Sequence, residues 1–178
     1  KVISFQGQPA ELAALIKGDV QAALLTTAEA VKAQKAGFKV LVDTSTYLPR
    51  LGGEIWTMKP FVDAHPDAVK AFDRAMAEAI MYIRDNKEGT LPILKKYLGI
   101  DDAEEQSLLW DSIHNGYEAT MPEKLFRDIF EARRREMIQL GQWDKDKPLP
   151  DPEQWVARKL LDDALKEVHY VPTKLATN

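Results

Sequence analysis

The sequence predicts an α/β fold. A partial lobe with a short parallel sheet is expected over residues 1–60, and a helical carboxyl-terminal region over residues 61–178. Three observations carry this expectation. In the first fifty residues, short apolar runs alternate with segments of helical spacing, the β-α-β-α-β order of strands joined by crossover helices. Beyond Lys59 the pattern changes to amphipathic segments of helix length. The composition, 45% hydrophobic and 29% charged over 178 residues, can supply one core, or one core plus an appendage.

Each element follows from local signals. Val2-Ile3-Ser4-Phe5 reads as a strand closed by Gln6-Gly7-Gln8-Pro9. Pro9 suits a helix start, because its missing N–H would have no intrahelical partner there. Leu12, Leu15 and Ile16 repeat at helical spacing until Gly18. Residues 20–25 form a second buried-strand candidate, and Thr26-Thr27-Ala28-Glu29 has the spacing of a capping box for a helix ending near Gly37. Phe38-Lys39-Val40-Leu41-Val42 is a third strand candidate. Residues 43–53, with hydroxyls, Pro49, Arg50 and two glycines, read as a loop, and residues 54–59 as a crossover strand.

Pro66 opens a helix to about Asp85 with Val69, Phe72, Met76, Ile80 and Ile83 on one face. A short helix over residues 91–98 stops at Gly99. Asp102 caps another that runs through Leu108, Leu109 and Ile113. A further helix follows Thr120-Met121-Pro122-Glu123 and stops at Gly141. Asp151 starts the last, through Trp155, Leu160, Leu161 and Leu165. Lys147-Pro148-Leu149-Pro150 is a rigid linker between these two.

Several chemistries are excluded. The chain has no cysteine, so it offers no disulfide, thiolate zinc site or cysteine nucleophile. A net charge of −4 argues against a nucleic-acid partner, which needs a concentrated basic surface. No apolar run approaches a membrane span, and no basic-then-apolar signal segment opens the chain. His65, His114 and His169 fit no zinc spacing, and no phosphate loop, dinucleotide turn or nucleophile elbow is present. Asp144-Lys145-Asp146-Lys147-Pro148 starts like a calcium loop, but proline and leucine occupy its next key positions, leaving a solvated turn. Glu131-Ala132-Arg133-Arg134-Arg135-Glu136 reads as a charged helix face. No catalytic residue, metal site or cofactor is expected.

The expected sheet places three loops on one edge, where open parallel sheets bind ligands. The first carries Gln6 and Gln8 into a helix start. The second carries Thr26 and Thr27 into another, and the third leads through Tyr47 to Arg50. Two helix starts with unspent N–H groups, two amides and several hydroxyls suit a small polar or anionic ligand. The candidate ligand-binding residues are therefore Gln6, Gln8, Thr26, Thr27 and Arg50.

At these residues a family resemblance emerges. Glu11-Leu12-Ala13-Ala14-Leu15-Ile16-Lys17-Gly18-Asp19-Val20-Gln21-Ala22-Ala23 resembles a segment of the periplasmic solute-binding proteins of ABC importers for nitrate, alkanesulfonates, taurine and thiamine-pyrimidine precursors. Gly37-Phe38-Lys39-Val40-Leu41-Val42-Asp43 is similar to a later strand of that family. Residues 61–72, with His65-Pro66 at their centre, are similar to its strand-to-helix turn. Leu140-Gly141-Gln142-Trp143, with Asp151 before a last helix, also agrees. Gln21 stands where the family carries aspartate.

The resemblance implies a type II periplasmic-binding-protein fold, two lobes closing on a solute. Measured against it, the chain reads as a carboxyl-terminal fragment: the later part of the second lobe, plus helices that pack on the first. The opening Lys1-Val2-Ile3, without methionine, agrees with a processed chain or fragment. The implied function is extracytoplasmic: a periplasmic or membrane-anchored receptor captures a small solute and hands it to an ABC permease, with no chemical step. Micromolar capture requires about 8 kcal/mol, whereas a helix start contributes ~0.3–1 kcal/mol, so weak binding by this chain alone is expected. The open edge of the expected sheet also invites pairing between copies. Two other readings stand beside this one: an enzyme resembling thiamine-pyrimidine synthases, whose cysteine-rich signature is missing, and a helical interaction domain that uses the helices after Pro66.

Overall fold

The computed structural model describes residues 1–44 and 54–173. Among them are eight α-helices and no β-strand: α1 (Gln8–Lys17), α2 (Thr27–Lys35), α3 (Lys59–Ala64), α4 (Pro66–Asp85), α5 (Lys87–Leu98), α6 (Ala103–Ile113), α7 (Glu123–Gln139) and α8 (Arg158–Glu167). The expected α/β fold, a type II binding-protein lobe with a parallel sheet, is therefore corrected: the described residues are helical and form no sheet. Residues 2–5, 20–25, 38–42 and 54–58, read above as strands, are irregular.

The physical reason is visible at the second of these segments. A strand requires its backbone groups to pair with another strand. Here the Leu24 N–H donates to Glu11 Oε1 at 3.1 Å and its carbonyl accepts from Gln8 Nε2 at 3.3 Å. Two side chains of α1 take the groups that a ladder would use. Val20, Ala23 and Leu25 still pack on Leu12, Leu15 and Ala33, so the apolar pattern is satisfied by helices on one side. In the third segment Phe38 joins the same cluster, but Val40, Leu41 and Val42 are exposed. A parallel strand is stable only when covered on both faces, and this segment is covered on neither.

The contacts divide the chain into two units. The first comprises Lys1–Asp43 and Ile83–Gly116, the second Thr44–Tyr82 and Tyr117–Asn178, and α4 runs from one into the other. In the first unit α2 packs on α1 and α6, and α6 on α5. Besides the cluster around Leu12, a second forms from Leu94, Ile100 and Leu109, with Ala28, Leu91 and Trp110 against it. Gly18 closes α1 in the left-handed conformation, φ 81°, its N–H reaching the Leu15 carbonyl and that of Asp19 the Ala14 carbonyl. Asn86 caps α5 by accepting from the Gly89 N–H at 2.8 Å. The helix therefore starts four residues before the expected 91–98 and accommodates Pro92 internally. Asp102 caps α6 as expected, through the Glu105 N–H at 2.9 Å.

In the second unit Phe126 of α7 is almost wholly buried, edge-on to Phe130 at 4.7 Å, and Phe130 meets Trp155 at 5.5 Å. The expected last helix is split. Asp151 caps only a 3-10 turn, Pro152–Trp155, and Val156 is extended before α8 begins. Arg158 stabilises this break, because its guanidinium binds both Glu153 oxygens, at 3.0 and 2.8 Å, and the Met121 carbonyl. Among the described residues no helix is long and apolar enough to cross a membrane.

Candidate functional site

The site is built from the two helix starts of the first unit. Gly7, at φ 97°, precedes α1, so Gln8 is its first residue and Pro9 its second. Thr26, with extended backbone at φ −69° and ψ 163°, precedes α2. Gln8 Oε1 accepts the Thr26 backbone N–H at 2.6 Å, while its Nε2 donates to the Leu24 carbonyl and to Glu11 Oε2 at 3.1 Å. This amide clamps the loop before α2 against the first turn of α1, holding the two helix starts within one side chain of each other.

Neither start is closed by a side-chain cap. The Thr26–Glu29 spacing predicts a reciprocal box, but Glu29 instead pairs with Lys32 at 3.0 Å. The Thr26 hydroxyl is thus left out of capping, and Thr26 and Thr27 are both exposed. The first-turn N–H groups of α2 carry the partial positive charge of the helix start. Of the expected residues, Gln8 and Thr26 are in direct contact, Thr27 is adjacent, and Gln6 is exposed one residue before Gly7. Arg50, Tyr47 and their neighbours lie outside the described residues.

Glu11 is the residue that sequence reasoning missed. Its carboxylate accepts from Gln8 and from the Leu24 N–H, so it supports the clamp and adds one negative charge to the first turn of α1. The Gln8–Glu11 spacing is a local signal for their contact, but the reach of 13 residues to Leu24 has no local signature. Glu11 opposes a multiply charged anion. The site suits a solute that offers hydroxyl, carbonyl or singly charged acceptor groups to the α2 start.

His65, His114 and Asp144, singled out in the sequence, each have structural contacts. His65 joins α3 to α4, its ring 4.9 Å from Phe61 and its carbonyl accepting from the Ala68 and Val69 N–H groups. His114 stacks on Trp110 at 4.3 Å. The Asp144 segment is a turn in which Asp144 Oδ1 accepts the Asp146 N–H at 2.9 Å. Among the described residues no cluster of histidine or carboxylate side chains has the arrangement of a metal site. In the second unit, a groove of about 160 Å³ is lined by Phe130, Met137, Trp143, Leu149 and Trp155 together with Arg133 and Arg134. Comparison with protein-family models, curated proteins and solved structures finds no match to this chain.

Proposed function

We propose that the chain captures a small polar or singly charged solute at the paired starts of α1 and α2, as the solute-binding component of an extracytoplasmic ABC importer that passes its solute to a permease. The observation that carries this reading is the Gln8–Thr26 clamp, which holds two uncapped helix starts together and leaves the Thr26 hydroxyl uncommitted. The resemblance of residues 11–23, 37–43 and 61–72 to importer receptors supports the transport role. Each retained hydrogen bond contributes about 0.5–1.5 kcal/mol, so these groups confer selectivity, and most of the affinity must come from covering the solute.

The test is native mass spectrometry of the protein as isolated from cells. A solute-sized mass increment is expected, and it should be absent from a Thr26→Val/Thr27→Val variant. An increment that persists in the variant would contradict the assignment. So would a protein with no increment and no thermal response to small carboxylates, sulfonates and neutral amides.

A further inference from the structure

We propose that the groove of the second unit binds a small aromatic carboxylate, its ring among Phe130, Trp143 and Trp155 and its carboxylate on Arg133. The groove lies wholly within that unit, and its walls hold one another in place. The Trp143 indole N–H donates to the Lys147 carbonyl at 2.9 Å. Arg134 of α7 donates to the same carbonyl at 3.1 Å and to that of Lys145 at 2.9 Å. The turn that carries Trp143 is thereby pinned to α7. Phe130 of α7 meets Phe126 at 4.7 Å and Trp155 at 5.5 Å. Three aromatic rings and the Met137 thioether therefore line one fixed space.

The volume sets the size of the ligand. About 160 Å³ is close to the roughly 150 Å³ of an apolar cavity that accepts benzene, so the groove takes a single six-membered ring. Its lining sets the kind of ring. Aromatic rings meet one another edge-on or offset, and a thioether sulfur favours a ring edge. A planar aromatic ring gains both contacts, and an alkyl chain of the same volume gains neither.

The charged groups select the substituent on that ring. The lining includes two guanidinium groups and no carboxylate. The Arg134 side chain is only 20% exposed; its hydrogen bonds go to neutral carbonyls, and Glu131 stands off at 3.8 Å. Its positive charge is thus incompletely balanced beside the aromatic walls. Arg133 is more open and pairs with Glu136 at 2.5 Å. An exposed pair of this kind contributes little, so a ligand carboxylate exchanges with Glu136 at small cost. Lys147 adds a third cation, its Nζ 5.5 Å from the centre of the Trp143 ring. A cationic arene would meet like charges here, and a neutral one would gain nothing from them. The starts of α1 and α2 recognise hydrogen-bonding groups, whereas this groove recognises a ring and a charge, so the two sites stand independently.

The test follows the tryptophan indole N–H resonances of the full 178-residue chain by two-dimensional NMR as phenylacetate is added. The Trp143 and Trp155 signals should shift and saturate with a Kd of about 1 mM, while that of Trp110, in the first unit, stays in place. Benzylammonium, with the same ring and the opposite charge, should bind about tenfold more weakly or less. Arg133→Gln should weaken phenylacetate binding by about fivefold, and Arg133→Lys should keep most of it. Met137→Glu sets a carboxylate in the groove and should abolish binding, with far-UV circular dichroism and an unmoved Trp110 signal confirming the fold. Thr26→Val/Thr27→Val should bind phenylacetate as the parent does, which separates this site from the helix starts. Trp143 and Trp155 signals that stay fixed at about 20 mM phenylacetate overturn the proposal. So does an equal response to benzylammonium, an affinity unchanged in Arg133→Gln, or binding retained in Met137→Glu.

Discussion

Gln8 Oε1 accepts the backbone N–H of Thr26 at 2.6 Å, joining the first residue of α1 to the residue that opens α2. The contact spans 18 residues and does what a sheet edge would otherwise do, which is to bring two helix starts to one place. It also separates Thr26 from its usual structural duty, because the loop is held by Gln8 and the threonine hydroxyl makes no cap.

Replacement of the two residues that precede helices should therefore have unequal consequences. Asn86→Ala removes a real cap on the Gly89 N–H and should cost about 1 kcal/mol in urea unfolding. Thr26→Val removes a hydroxyl that caps nothing and should cost about 0.5 kcal/mol or less. Equal losses would mean that Thr26 is an ordinary cap.

Phe126 carries the aromatic packing of the second unit. Phe126→Ala should destabilise it by about 3–5 kcal/mol, seen as a lower thermal midpoint of the transition that includes α7. The exposed Phe72 of α4 is the control, since its loss should change stability far less.

His169 is the non-glycine residue with positive φ among the described residues, at 51°, where the chain leaves α8 with the Tyr170 N–H reaching back to the Leu165 carbonyl at 2.9 Å. The other helix exits in this conformation use glycine, as at Gly18 and Gly141. His169→Gly should stabilise the protein by up to about 1 kcal/mol, whereas His169→Val should destabilise it. Thermal unfolding of both variants decides the point.

Glu118 ties the end of the described chain to the start of α7. Burial pushes its carboxyl upward, but four hydrogen bonds outweigh that and hold it below its ordinary value of 4.5. These come from the Thr120 N–H and hydroxyl, at 2.8 and 2.9 Å, and from the Thr173 N–H and hydroxyl, at 2.6 and 2.7 Å. A carboxyl with a depressed folded-state value contributes stability that is fully present above its unfolded value and is lost as pH falls through the folded one. Glu118→Gln should accordingly lower the denaturation midpoint at pH 7 and have a progressively smaller effect below pH 4.5. A difference that stays constant with pH would show that the charge plays no part.

The helix boundaries were the most legible feature of the chain, because each rests on chemistry within a few residues. Pro9 and Gly18 bound α1, Pro66 opens α4, Asp102 caps α6 and Gly141 ends α7. The strands were not legible in the same way. An apolar run shows that a segment can be buried, but a strand also needs a partner for its backbone, and the Gln8 and Glu11 side chains that occupy Leu24 come from another helix. The split at Val156 depends on Arg158 reaching Glu153 and Met121, of which only the first is close in sequence. At the candidate site, three loops were expected to converge on a sheet edge; a side-chain clamp joins Gln8 to Thr26 without a sheet among the described residues, and the loop to Arg50 lies outside them. Glu118 had only the Thr120 spacing to mark it, since Thr173 lies 55 residues away.

Capture at the paired helix starts is tested most directly by calorimetric titration of the solute found in the isolated protein into the parent chain and into Thr26→Val/Thr27→Val. Loss of the two hydroxyls should weaken binding by about tenfold or more while the unfolding midpoint stays within ~0.5 kcal/mol of the parent. Unchanged affinity in the double variant would place the solute elsewhere and contradict the assignment.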